Sequence, residues 1–209
     1  MKKLLYAVLA LAFLLPSAAT AKKTALEKVR EKAYKTKLKD YKKEGWKAMG
    51  SKPLDLCLLE HYDKLQQLGP DGHEVEGIST KSKSINVGKQ MAVNNAVITY
   101  GQEAGSTLQG RVVSDMAGSG VDTASEFENF IAAYERLVEK EIRGEMQPSY
   151  SIMKQNNDGT VEVRTYFIVE ENSAQKARLR ALEEAMKNSD MAADHADQIA
   201  KFVREGFEE

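Results

Sequence analysis

The rhythm of hydrophobic and polar positions changes several times along the chain, and each rhythm predicts a different element. Leu4 to Leu15 is an unbroken apolar run, with Lys2-Lys3 before it and Pro16-Ser17 after it. It is too short to span a bilayer but has the length of a signal-peptide core. Ala19-Thr20-Ala21 supplies the small residues a signal peptidase needs, so cleavage is expected after Ala21. Leu26, Val29, Ala33, Leu38 and Tyr41 then form a sparse stripe at helical spacing. Residues 45–50 read as a short strand. Ser51 and Pro53 open a helix to about Leu68, with Leu54, Leu58, Leu65 and Leu68 on one face. Gly69-Pro70-Asp71-Gly72 is a turn, followed by a polar strand from Glu74 to Ser82. A helix is expected from Asn86 to about Ala104. Val93, Val97 and Tyr100 face its core side, and Ala92 and Ala96 allow close backbone packing.

Leu108 to Asp115 alternates enough to predict another strand. Beyond Gly118-Ser119-Gly120, Ser125 and Glu128 have capping-box spacing. Phe127, Phe130, Ile131, Tyr134, Leu137, Val138 and Ile142 then mark the clearest amphipathic helix of the chain. Asn156-Asn157-Asp158-Gly159 is a hairpin turn between two strands, the second with Val161, Val163, Thr165, Phe167 and Val169 on one face. Pro148 implies that the first of these strands borders the sheet or contains an irregularity. Two helices close the chain, at about 173–187 and 190–205, the latter burying Ala192, Ile199, Phe202 and Val203. The expected class is α+β: a mixed or antiparallel sheet of about five strands packed against helices on one main face, with an added basic N-terminal helix and a C-terminal helix pair. The expected organisation is a signal peptide at 1–21, a basic helical arm at 22–45 and a single α+β domain at 46–209.

Charge sharpens this picture. The 209 residues carry a net charge of −1. Residues 22–47 hold eleven basic residues against four acidic ones, a local charge of +7 within a chain close to neutral. Such a segment reads either as a solvated helix docked on the acidic body or as an arm that contacts an anionic envelope surface, an envelope protein or the acidic remainder of a neighbouring copy, which leaves a homo-oligomer open. Lys28, Arg30, Lys35, Lys39, Lys42 and Lys43 are the candidate contact residues. With few large apolar residues on the stripe, stable membrane insertion is not expected after cleavage. Near-neutral total charge and the lack of aromatic-basic interleaving argue against nucleic acid as partner. The single cysteine, Cys57, rules out an internal disulfide, and its apolar neighbours predict a buried thiol.

Catalytic signals are sparse. Cys57 and His61 stand at i, i+4, so both share a helical face and form at most half of a metal site; His73 is the other metal candidate. Asp71, His73, Glu74 and Glu76 form a small acidic cluster, read as a solvated loop because the calcium-loop pattern is absent. Asp190, Asp194, His195 and Asp197 are read as charges complementing a helix dipole. Gly118-Ser119-Gly120 lacks the glycine spacing of a nucleophile elbow, and Gly88-Lys89 lacks the upstream glycine of a phosphate-binding loop. No cofactor is expected.

The early Gly45-Trp46 strand, the helix bearing Gln90-Met91-Ala92-Val93-Asn94-Asn95-Ala96, the helix Phe127 to Ile142, and the hairpin leading to Glu162-Val163-Arg164-Thr165-Tyr166-Phe167 occur in a suggestive order. Over about residues 46–187 this layout resembles the small surface-lipoprotein and FlgT-like N-terminal domains of bacterial envelopes. The resemblance implies a compact α+β envelope module that works by binding or assembly. The chain departs from that pattern by lacking a lipidated cysteine and by adding the basic N-terminal helix and a last C-terminal helix. The expected function is an exported, non-enzymatic periplasmic or secreted binding or assembly module. The alternative is a metal-dependent or hydrolytic periplasmic enzyme using His61 or His73.

Overall fold

The computed structural model describes residues 25–116, 124–187, 189 and 196–205. The export signal expected at 1–21, the Gly118-Ser119-Gly120 loop, Asp190, Ala192, Asp194 and His195 lie outside the described residues. In chain order the main elements are α1 (Ala25–Glu44), β1 (Lys47–Ala48), α2 (Leu54–Leu68), β2 (Gly72–Ser82), α3 (Ile85–Met116), α4 (Ala124–Ile142), β3 (Gln147–Gln155), β4 (Val161–Glu170), α5 (Glu171–Met186) and α6 (Ala196–Glu205). The class is α+β. Among the described residues the strands form one antiparallel sheet in the order β1-β3-β4-β2.

Two features of the expected arrangement are corrected. The sheet has four strands because Leu108 to Asp115 continues α3 as helix. Tyr100, Ala104, Leu108 and Val112 recur every four residues and are all buried, so helical packing overrides the local alternation. Helices also cover both faces of the sheet. Val75, Phe167 and Val169 join α3, α4, α5 and α6 in the larger core, whereas Tyr150, Ile152 and Tyr166 join α1, α2 and Trp46 in a second one. Adjacent strand residues point to opposite faces, so β4 is buried on both.

Local chemistry explains the close approaches. A Cβ on Gly77 of β2 would sit 1.9 Å from the Ala92 carbonyl oxygen and 2.8 Å from the Ala96 Cβ, so glycine and alanine together let α3 lie directly on the strand. The β3–β4 turn closes as its sequence requires, with Gly159 at φ +80° and the Thr160 amide donating to Asp158 Oδ1 at 3.0 Å. The irregularity expected at Pro148 is present, as a register shift between Pro148 and Tyr150.

Candidate functional site

The layer formed by α1 and α2 gathers most of the polar chemistry. The last turn of α1 fixes its position: Gly45 takes φ +83°, and the Trp46 and Gly45 amides donate back to Tyr41 O at 2.9 Å and Lys42 O at 3.3 Å. Tyr34, Leu38 and Tyr41 then pack against Trp46, Cys57, Leu58, Tyr150, Ile152 and Tyr166. Trp46 is also flanked by two cations, with Lys154 Nζ and Arg164 Cζ each 4.6 Å from its ring centroid.

Beneath α1 runs a chain of hydrogen bonds. The Tyr41 and Tyr166 hydroxyls are 2.6 Å apart, and Tyr166 donates to Glu76 Oε1 at 2.5 Å. Glu76 also faces Arg164 Nη1 at 3.5 Å, and Arg164 Nε donates to Glu162 at 3.1 Å. A second cluster lies alongside. His61 is only 1% exposed; its Nδ1 lies 2.8 Å from Ser149 Oγ and its Nε2 bonds to Glu74. Lys37 reaches inward to the same carboxylate at 3.3 Å, its ammonium 4.8 Å from the Tyr166 ring centroid and 5.9 Å from that of Tyr62.

These groups are held in fixed charge states. Burial works against the Lys37 ammonium, but the Glu74 charge and hydrogen bond together with the Tyr41 and Tyr62 hydroxyls outweigh it and raise its pKa. Burial likewise disfavours the Glu74 carboxylate, yet hydrogen bonding from His61 and the Lys37 charge hold its pKa below the ordinary value. Burial pushes the Tyr150 and Tyr166 hydroxyls far up, so both stay protonated. The cluster braces α1 against the sheet. A cleft of about 680 Å³ opens beside it, lined by Val29, Thr36, Asp40, Tyr62, Glu76 and Tyr166 among others.

The structure sorts the candidate residues. Cys57 and His61 do share the buried face of α2; the Cys57 thiol lies 3.8 Å from the Lys52 carbonyl, and burial raises its pKa. His73 stands next to Glu74 on β2 and therefore faces the opposite side of the sheet, where its Nε2 lies 3.1 Å from Glu171 Oε2. The two imidazoles cannot meet. Among the described residues no group of three or more His, Cys, Asp or Glu is placed to hold a metal ion. Glu74 and Glu76 are strand residues with fixed partners, which corrects their reading as part of a solvated loop.

Of the basic candidates on α1, Lys28, Lys35, Lys39, Lys42 and Lys43 are exposed, whereas Arg30 is half-buried in the crease with α2. Lys32 belongs with the exposed set and Lys37 does not, a distinction of helical phase relative to Tyr34 and Tyr41. His61 was legible only as a neighbour of Cys57; its bond to Glu74 depends on the pairing of distant elements. Comparisons with protein-family models, curated proteins and solved structures return no match, so the site is read from its geometry.

Proposed function

We propose that the protein is an exported, non-enzymatic module of the cell envelope that works by binding, with the exposed lysines of α1 as its contact surface. The carrying observation is the division of roles around α1. Tyr34, Lys37, Leu38 and Tyr41 hold the helix to the body, while Lys28, Lys32, Lys35, Lys39, Lys42 and Lys43 all face outward. Lys35 pairs with Glu31 at 2.7 Å; the other five have no carboxylate within 4 Å among the described residues. A line of unmatched cations draws in an anionic partner over several ångströms. The resemblance to small envelope domains implies the same setting, and residues 1–21 supply the address.

The polar cluster beneath α1 supports binding over turnover, because His61 is sealed from solvent with both ring nitrogens engaged. A single site combining His61 and His73 is disfavoured, since the two lie on opposite faces of the sheet with separate partners, Glu74 and Glu171. The test is fractionation of cells producing the full-length chain with Lys32, Lys35 and Lys39 replaced by Glu. At low salt the wild type is expected in the envelope fraction and the variant in the soluble one, with an unchanged melting temperature. Equal retention of both overturns the proposal.

A further inference from the structure

Resting on that reading, we infer that the lysine ridge of α1 docks on a bilayer surface bearing anionic lipid headgroups. At 3.6 residues per turn, Lys28, Lys32, Lys35, Lys39, Lys42 and Lys43 fall within an arc of about 100°. At 1.5 Å per residue they extend over about 22 Å along the helix. All six side chains are exposed.

Its chemistry fits a plane of phosphates better than a discrete phosphate ligand. A single bound phosphate is gripped by converging donors, commonly an arginine fork or a helix N-terminus. The ridge has no arginine, since Arg30 lies half-buried towards α2. Lysine ammoniums on flexible stems act instead as separate point charges, each attracted to the surface potential of an anionic leaflet. The docking is adsorption without insertion. The large apolar residues of α1 from Tyr34 onward face the body, and among the described side chains Val29, 65% exposed, is the one large apolar residue beside the ridge. No helix among the described residues is long and apolar enough to cross a membrane.

A second copy of the chain is the poorer counterpart. Several outer carboxylates are already engaged by its own cations: Glu141 and Glu145 by Arg180, Glu184 by Lys187, and Glu162 by Arg164 and Lys154. Lipid phosphates, by contrast, face outward in a dense layer with only mobile counterions to displace.

The experiment is co-sedimentation of the purified chain with vesicles of phosphatidylglycerol mixed into phosphatidylcholine, against phosphatidylcholine alone. Binding is expected only to the mixed vesicles, and is expected to vanish as salt rises from about 0.05 to 0.5 M, as the Debye length shortens from about 14 to 4 Å. Replacing Lys32, Lys35 and Lys39 by Gln should weaken it about 100-fold, roughly fivefold per lysine. Replacing Lys89 and Lys176, which lie on α3 and α5, should change it less than about twofold. Equal binding to both vesicles, or to neither, overturns the inference. So does soluble polyphosphate binding that leaves vesicles untouched, which would make the partner a free polyanion. Ridge-dependent self-association without vesicle binding would make it a second copy. If vesicles are ignored while envelope retention still depends on Lys32, Lys35 and Lys39, the contact surface stands and only the lipid is wrong.

Discussion

On one face of the sheet, Phe130, Tyr134, Val138 and Ile142 of α4 meet Val97 and Leu108 of α3 and Ala177, Ala181 and Leu182 of α5 in a broad apolar core. On the other, Tyr41, Trp46, Tyr150 and Tyr166 pack within a web of hydroxyls, carboxylates and cations. The same strand, β4, supplies both layers by alternating its side chains. The first layer owes its stability to area removed from water, which gives it mass but little specificity. The second depends on directional bonds whose net value is small and whose loss is costly. It fixes where α1 sits, and hence where the lysines point.

The difference is open to attack, beginning with the apolar side. Phe130 is 2% exposed and central to α4, so Phe130→Ala should cost about 3–5 kcal/mol, a large share of a typical stability of about 5–15 kcal/mol. A melting temperature near that of wild type would mean that α4 is not the main support. Gly77→Ala drives a methyl group into the Ala92 carbonyl and should cost about 3 kcal/mol, at the upper end of overpacking effects. Chemical denaturation measures both.

Acid tests a pair that bridges the two styles. Arg178 is 2% exposed in the apolar face, bonded to Glu171 and donating to Tyr100 Oη at 2.7 Å. Burial disfavours the Glu171 carboxylate, but hydrogen bonds from His73 and Arg178 win and hold its pKa at about 2. A folded pKa below the unfolded one adds stability that is complete above the unfolded value, near 4.5, and is lost as pH falls towards about 2. Allowing for partial exposure of Glu171, the loss should be of order 2 kcal/mol. Glu171→Gln should be less stable at neutral pH and flatter across that window, as read by denaturant midpoints. The smallest effect is expected for Tyr41→Phe, which removes a single hydroxyl contact and should cost about 1 kcal/mol. A loss rivalling that of Phe130→Ala would show that the aromatic layer, not α4, dominates.

The sequence carried the signal wherever one element decided the outcome alone. The α4 stripe, the Asn156–Gly159 turn and the Ala92/Ala96 approach were all readable because spacing or turn chemistry is local. The α1–α2 layer was hidden because its meaning lies in phase and pairing. Lys37 has the same composition-level signature as Lys35 and Lys39, yet it turns inward beside Tyr166. Glu74 lies 13 residues from His61 in the chain, and only the docking of α2 against β2 makes them partners. The second helical layer was missed for the same reason. Tyr166 lies on the face opposite Phe167, and only the docking of α1 and α2 buries it.

The unequal seating of α1 has a dynamic consequence. Its later part is anchored by Tyr34, Leu38 and Tyr41 and locked at Gly45, whereas Lys28 and Val29, nearer its start, are exposed, Val29 at the rim of the cleft. Helix ends without tertiary contacts fray at little energetic cost, while segments anchored in a core open only with larger units. Amide hydrogens should therefore exchange quickly near Lys28 and progressively more slowly towards Tyr41. A partner gripping the ridge would steady the loose end first, so occupancy would register as a flattening of that gradient before any change in the rest of the molecule.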